Sequence, residues 1–278
     1  ARIKSAYFNA VYRQMDLKLA EENLQIADDF LIKSQIRYNV GEGTNLELLT
    51  AKVQKTEALN MLEASRSELT SALTVLVNEM GMTGFGDISY ELTDSLNYIY
   101  YGFTEESLLS AALLNNPNLK VSDLNIDASS LDKSLAWQNL LPNLNFSYYR
   151  QAIPGDTRFY GISFGISVPL WFMFEHRGKI QEAQANYSIA GMERKTVLNG
   201  IITDVKNKLN EFKNSEREVL LYRNEILPQA DEIFRTAKVS YEQGEVNYLL
   251  LLEAKKTLVT AKDNYLASLY RYKLALIK

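Results

Sequence analysis

The sequence of 278 residues contains no cysteine and a single histidine, His176. Without thiols, the chain has no disulfide bonds, no thiolate metal sites and no cysteine nucleophile, and the redox compartment stays undecided. One histidine without a carboxylate cluster at ligand spacing does not fit the ligand sets of transition metals. Glycine-rich phosphate loops and nucleophile motifs are also missing. The sequence therefore predicts no cofactor, no metal and no enzymatic activity.

Long apolar runs and a charge excess are missing too. No stretch of 18 or more apolar residues occurs, so no transmembrane helix is predicted. The 34 acidic and 30 basic residues are interspersed and give a formal net charge of -4, which provides no basic face for nucleic acid. With 46% hydrophobic and 23% charged residues, the chain has enough apolar surface for a large core and is not predicted to be disordered.

Two glycine-containing breaks interrupt otherwise helical patterns with the same spacing. YNVGEGTNLELLTAK at 38–52 aligns without a gap on YEQGEVNYLLLLEAK at 241–255, so that Gly41 matches Gly244. The alignment extends from 22–75 to 225–278. Helical periodicity alone does not repeat a Tyr-x-x-Gly-Glu break in register, so we infer a tandem duplication.

Five helical tracts are predicted, at roughly 1–38, 46–79, 105–139, 175–240 and 247–278. The fourth carries an apolar residue at every seventh position, which is typical of coiled-coil packing: Leu198, Val205, Phe212, Val219 and Ile226. Pro228 is predicted to kink or end this helix, because proline removes a backbone donor and clashes with the preceding turn. Asn115-Asn116-Pro117 is predicted to do the same in the third tract. The stretch between 81 and 104 is rich in glycine and β-formers and is expected to be irregular, with room for a short strand.

A β-hairpin is predicted between these helices. Residues 160–168 alternate strictly, with apolar Tyr160, Ile162, Phe164, Ile166 and Val168 against small Gly161, Ser163, Gly165 and Ser167. About nine alternating residues suit a tilted strand that crosses a bilayer. Leu144, Phe146 and Tyr148 are expected on the partner strand, and Tyr149, Phe159, Trp171 and Phe172 suit aromatic girdles. A hairpin of a soluble sandwich fits equally well. Two strands leave open edges, so a membrane hairpin needs further strands from another repeat or subunit.

Taken together, these features resemble the TolC-like outer-membrane efflux family. The resemblance rests on Asn115-Asn116-Pro117-Asn118-Leu119, Leu141-Pro142-Asn143-Leu144, Ser167-Val168-Pro169-Leu170-Trp171, Arg177, Ala183 and the two Tyr-x-x-Gly breaks. It implies a mainly α fold with a β-hairpin, in which long antiparallel coiled-coil helices belong to an α-helical barrel and the strands belong to a trimeric transmembrane β-barrel. Two tandem repeats are expected, the first of them incomplete. Because the chain opens like the middle of a helix, without a cap or signal peptide, we expect it to be N-terminally truncated.

The resemblance also implies a division of the chain. We expect a helical hairpin of repeat 1 at 1–80 with its tip near 39–45, an irregular equatorial connection at 81–104, the opening helix of repeat 2 at 105–140, a transmembrane β-hairpin at 141–172, and the long helical hairpin of repeat 2 at 173–278 with its tip near 242–247.

Site residues follow from the same resemblance. Val40, Gly41, Glu42, Gln243, Gly244 and Glu245 are expected at the periplasmic tip, where an adaptor docks. Glu47 and Glu253 are gate candidates, since three-fold symmetry would make each a ring of like charge around a pore; an ordinary solvated glutamate is the alternative for each. Ile162, Phe164, Ile166 and Val168 are expected to face lipid, and Gly161, Ser163, Gly165 and Ser167 the lumen.

The implied function is a passive channel in the bacterial outer membrane that extends into the periplasm. It would serve a tripartite efflux or type I secretion system as a homotrimer, with a periplasmic adaptor protein, an inner-membrane pump reached through the adaptor, and outer-membrane lipid as partners. A soluble periplasmic coiled-coil adaptor or scaffold is the alternative. The sequence does not indicate the cargo (drug, metal ion or protein), the pump class, lipidation or the gate mechanism.

Overall fold

A computed structural model describes residues 2–82, 92–139, 141–153, 156–168 and 172–277. Its elements are helices α1 (Arg2–Asn39), α2 (Asn45–Glu79), α3 (Glu105–Asn115) and α4 (Pro117–Gln138), strands β1 (Asn143–Ile153) and β2 (Asp156–Ser167), helix α5 (Phe172–Leu221), a π-helical turn (Tyr222–Ile226), and helices α6 (Leu227–Glu242) and α7 (Tyr248–Ile277). The predicted mainly α fold with one β-hairpin is thereby confirmed. Trp171 and residues 83–91 of the expected irregular segment lie outside the described residues, as do the side chains of Phe159 and Phe172.

The chain divides into two compact units, the first formed by Ala1–Gly102 with Lys208–Lys278 and the second by Phe103–Asn207. Many core residues of the first unit are alanines that lie between helices. Ala51, Ala237 and Ala254 pack around Phe30 and Leu251 near the helix ends. Further along α1 and α2, a second cluster joins Ala6, Ala10, Ala72, Leu73 and Leu76. Small side chains at these contacts let the helix backbones approach closely, as in an antiparallel bundle.

Both predicted proline breaks are confirmed. Helix α3 ends at Asn115, and Asn116 adopts an extended backbone (ψ 119°) while its side chain caps α4, which begins with Pro117. Pro228 lies in the first turn of α6, immediately after the π-helical turn. There the Leu227 amide donates to the Tyr222 carbonyl, one residue further back than in an α-helix. The wider turn accommodates a proline that provides no amide hydrogen.

The described part of the connection after α2 contains no strand. Leu92 and Gln14 exchange two hydrogen bonds of 2.8 Å, and Leu96 is 1% exposed. The Tyr272 hydroxyl donates to the Ile99 carbonyl at 2.6 Å, and Tyr98 donates to Glu216 at 3.0 Å. Residues 92–99 are therefore irregular, as predicted, yet they are fixed on the helices of the first unit.

In the second unit, β1 and β2 form a two-stranded antiparallel sheet. The register pairs Asn143 with Ser167 at one end and Gln151 with Phe159 near the turn, with a shift between Gln151 and Ile153. Helix α4 precedes β1 and helix α5 follows β2, so both connect to the end of the hairpin opposite its turn.

Candidate functional site

The hairpin has two chemically different faces. Directly paired residues of antiparallel strands share a face, and the register pairs Leu144 with Ile166, Phe146 with Phe164 and Tyr148 with Ile162. Phe146 and Phe164 lie ring to ring, with centroids 4.9 Å apart. Every member of this apolar face is exposed, and Phe164 reaches 82%. Nothing within the described chain covers the face, although water is a poor solvent for it.

The opposite face is small and polar. Asn143 pairs with Ser167, Asn145 with Gly165, and Ser147 with Ser163. The two serine hydroxyls lie 2.6 Å apart and share a hydrogen bond. All these positions are exposed as well. A sheet with one apolar face and one face of small polar residues suits a wall between hydrocarbon and water.

The helical tip is built by the same turn in both repeats. Gly41 has φ 81° and Gly244 has φ 77°, the left-handed region that glycine adopts without strain. In the first repeat the Glu42 amide donates to the Arg37 carbonyl at 2.9 Å. In the second, the Glu245 amide donates to the Ser240 carbonyl, also at 2.9 Å. This six-to-one bond with glycine one position earlier is the Schellman motif, which ends a helix and reverses the chain.

A capping residue then starts each returning helix at the equivalent position. Thr44 accepts a hydrogen bond from the Glu47 amide at 3.1 Å, and Asn247 accepts one from the Leu250 amide at 3.0 Å. Such side chains satisfy amides that lack partners in the first helical turn. The repeated sequence break is therefore a complete helix stop, turn and helix start. Its tip side chains are exposed, among them Val40, Glu42, Gln243 and Glu245.

The two gate candidates have different surroundings. Glu47 is half-buried and accepts a hydrogen bond from the Tyr241 hydroxyl. Burial, followed by this bond and the carboxylate charge, raises the pKa of Tyr241 to about 12, so the phenol stays protonated and donates at neutral pH. Glu253 is exposed and lines a groove of about 650 Å³ between α6 and α7, together with Ile233 and Leu250.

Other links hold the same end of the helices together. Lys33 donates to Glu242 at 2.6 Å, and the Arg37 guanidinium lies 4.9 Å from the centre of the Tyr241 ring. Tyr241 is 3% exposed, whereas its repeat counterpart Tyr38 is 43% exposed. Sequence reasoning used both tyrosines only as markers of the repeat and missed this link. The available signal was a difference between the two repeats, because Glu47 of the first repeat aligns with Leu250 of the second.

A carboxylate pair on α1 and α7 was also missed. Asp263 and Asp16 line one small cavity, and burial, with a further contribution from the Asp16 charge, raises the pKa of Asp263 to about 6. Asp16 itself accepts a hydrogen bond from the Ser65 hydroxyl at 3.1 Å and lies 4.0 Å from the Arg13 guanidinium. Arg13 also pairs with Glu68, so it is shared between two acids.

The described residues contain neither a membrane-spanning helix nor a cluster of metal ligands. No described helix combines the length and the apolar character required to span a bilayer. Within the same ranges, no three acidic or histidine side chains come together in a way that would hold a metal ion.

Comparison with known proteins gives consistent matches. Residues 108–278 match the family model described as outer membrane efflux protein. The cobalt-zinc-cadmium resistance protein CzcC of Cupriavidus metallidurans is 22% identical over 274 residues, which cover 97% of this chain and 63% of that protein. The pyoverdine export outer membrane protein OpmQ of Pseudomonas aeruginosa is 24% identical over 278 residues, which cover 94% of this chain and 56% of that protein. The chain thus spans less than two thirds of the length of either relative.

Among solved structures, the outer membrane protein VceC of Vibrio cholerae matches with a TM-score of 0.80 at 16% sequence identity. The match covers 99% of this chain and 67% of that one. At this level of identity the similarity concerns the fold, and it extends over both compact units.

Proposed function

The chain belongs to the outer membrane efflux protein family, and from this membership we propose that the complete protein is a passive exit duct of a tripartite efflux or type I secretion system. An outer-membrane location follows from the family and agrees with the name of the relative OpmQ. The strands would form part of a barrel in that membrane, and the long helices would line a tunnel in the periplasm. The duct would only conduct, and an inner-membrane pump would supply the energy.

The observation that carries this proposal is the pair of faces on the hairpin. Phe164 and Ile166 are 82% and 71% exposed on one side, while Ser147 and Ser163 bond to each other on the other side. Lipid is the environment that stabilises such a fully exposed apolar face, and water in a lumen is the one that suits the serines. We therefore assign Ile162, Phe164, Ile166 and Val168 to lipid, and Gly161, Ser163, Gly165 and Ser167 to the lumen.

Open strand edges support an oligomer. A two-stranded sheet leaves one edge of β1 and one edge of β2 without partners, and hydrocarbon does not tolerate unpaired backbone groups. Closure therefore requires strands from further repeats or copies. A homotrimer of complete protomers would supply them.

The helical tip suits the docking of a periplasmic adaptor protein. Its two turns expose equivalent residues, Val40, Gly41 and Glu42 in the first repeat and Gln243, Gly244 and Glu245 in the second. Because each turn is fixed by its own Schellman bonds, the surface is preorganised, and binding to it costs little conformational entropy. The adaptor would in turn connect the duct to the pump.

Glu47 and Glu253 would have different tasks in a gate. Glu47 would act as a clasp, because its bond from the Tyr241 hydroxyl fixes the start of α2 to the end of α6. Exposed Glu253 would contribute to a ring of carboxylates around the three-fold axis, which attracts cations. Opening would then break the clasp and separate the carboxylates.

The alternative function, a soluble periplasmic adaptor or scaffold, is not favoured by the family match or by the exposed apolar face of the hairpin. The name of CzcC refers to resistance to cobalt, zinc and cadmium, and that of OpmQ refers to export of pyoverdine, at nearly equal identity to this chain. The proposal is therefore restricted to passive conduction.

Reconstitution of the full-length protein tests the proposal. We expect it to require detergent for extraction from membranes, to run as a heat-resistant trimer, and to give discrete ion-conducting steps in planar lipid bilayers. A monomer that stays soluble without detergent and gives no conductance would support the adaptor alternative instead.

A further inference from the structure

Tyr149 is an exception on the small polar face of the hairpin. At the positions of that face within 143–149 and 161–167, the other residues are asparagine, serine or glycine. Tyr149 is 54% exposed and pairs directly with Gly161, so it lies on the face opposite to Phe164 and not in the aromatic girdle that the sequence suggested. Within these two ranges it therefore places the largest side chain of the face at a level where the opposite strand has none.

The glycine opposite is needed for the position of the ring. A Cβ added to Gly161 would lie 2.3 Å from Cζ and 2.5 Å from Oη of Tyr149, whereas a Cβ added to Gly165 would have Asn145 Cβ at 3.8 Å as its nearest neighbour. Real Cβ atoms essentially never lie within 3.0 Å of such neighbours. The phenol ring thus lies across Gly161 and covers the backbone of β2 at that level.

The level of the ring along the hairpin is also defined. Ser147 and Ser163 pair on the side toward the helices, and Gln151 pairs with Phe159 on the side toward the turn. The ring therefore lies in the half of the hairpin that is remote from α4 and α5.

We propose that Tyr149 narrows the bore of the barrel near its outer end and so limits the size of the solutes that pass. This inference rests on the proposed function, because it takes the small polar face as the lumen wall. Each protomer of a trimer would contribute one ring at the same height. At the other positions of this face within 143–149 and 161–167 the side chains are short, so these rings are the widest protrusion from that part of the hairpin into the lumen.

Single-channel recordings of the full-length protein test the proposal. Tyr149→Ala is expected to raise the conductance by about 1.2-fold or more and to admit larger uncharged polyethylene glycols, since the pore lining sets the width. Tyr149→Phe keeps the ring and is expected to leave the conductance unchanged. Gly161→Ala is expected to lower it, because the new methyl group forces the ring off the strand and into the bore.

Tyr148→Ala provides a matched control. Tyr148 is the adjacent tyrosine, is 59% exposed and belongs to the apolar face, so its loss is expected to leave both conductance and polymer cut-off unchanged. Heat-resistant trimers confirm assembly of each variant. If Gly161→Ala does not assemble, the comparison of Tyr149→Ala with Tyr149→Phe and Tyr148→Ala still decides whether Tyr149 narrows the bore.

The outcomes separate the two proposals. A wild-type protein without conductance would contradict the exit duct itself. A conducting wild type with an unchanged Tyr149→Ala variant would overturn the constriction alone. An effect of Tyr148→Ala in place of Tyr149→Ala would overturn it too, and would reverse the two faces.

Discussion

Arginine substitutions at two adjacent positions of β2 test the assignment of the hairpin faces. Phe164 is the central residue of the alternating stretch 160–168 and is 82% exposed on the apolar face. Ser163 precedes it on the small polar face, where its hydroxyl lies 2.6 Å from that of Ser147. The same charged side chain is thus introduced at the same depth, once on each side of one sheet.

The expected costs differ by several kcal/mol. An arginine on the lipid side of a barrel strand costs about 2–4 kcal/mol near the bilayer midplane, and loss of the Phe146–Phe164 ring contact adds about 0.5–1.5 kcal/mol. Phe164→Arg is therefore expected to cost roughly 2.5–5.5 kcal/mol for each protomer, and three protomers would add these costs. Ser163→Arg loses one serine hydrogen bond, about 1 kcal/mol, and leaves the guanidinium in water.

Heat-resistant trimers in outer-membrane fractions measure the result. Phe164→Arg is expected to abolish or strongly reduce them at wild-type expression. Ser163→Arg is expected to retain them, with an altered single-channel conductance. Equal assembly of both variants would refute the lipid and lumen assignment, and loss of trimer only in Ser163→Arg would show that the faces are reversed.

Three further results are expected. Gly244→Ala is expected to lower the free energy of unfolding by about 1–2 kcal/mol, because alanine resists the left-handed backbone conformation. Gly200→Ala, inside α5 with open space around it, is expected to raise the free energy of unfolding by roughly 0.5–1 kcal/mol. Changes of the same sign for both variants in denaturant unfolding would contradict the turn assignment. Tyr241→Phe removes a hydrogen bond to the Glu47 carboxylate. It is expected to lower the free energy of unfolding by about 1.5–3 kcal/mol and to increase the open fraction in bilayer recordings, while Tyr38→Phe at the exposed counterpart changes neither. Matching recordings for the two variants would argue against the Glu47–Tyr241 clasp. The pKa of Asp263 is raised from 3.8 to about 6, so the native state holds this proton more tightly and stability falls as pH rises through that window. Asp263→Asn is expected to remove this pH dependence of the free energy of unfolding. An unchanged pH profile of unfolding would speak against the Asp16–Asp263 pair.

The fold was largely predictable because its signals are local. Heptad spacing, glycine at a helix stop and proline inside a helix act within a few residues, so the long helices and the breaks at Pro117 and Pro228 followed from the sequence. The resemblance to the TolC-like family, which rested on the order of short motifs, is confirmed by the family match over 108–278. The site residues inferred from that resemblance stay predictions.

Contacts between distant side chains were not predictable in this way. The Glu47–Tyr241 bond and the Asp16–Asp263 pair depend on how far each helix is rotated about its axis, which a single sequence does not determine. The duplication suggested two equal tips, yet Lys52 is exposed while its counterpart Lys255 is 5% exposed. Packing against different neighbours gives matching positions of the two repeats different environments.

The spacing of buried residues near the π-helical turn affects how the helices wind. From Phe212 to Val219 the step is seven residues, from Val219 to Ala230 it is eleven, and from Ala230 to Ala237 it is seven again. Buried residues at every seventh position impose left-handed supercoiling, and an insertion of four residues into this spacing relaxes the supercoil. The end of α5 and the start of α6 are therefore expected to run nearly straight here, with left-handed supercoiling confined to the stretches on either side.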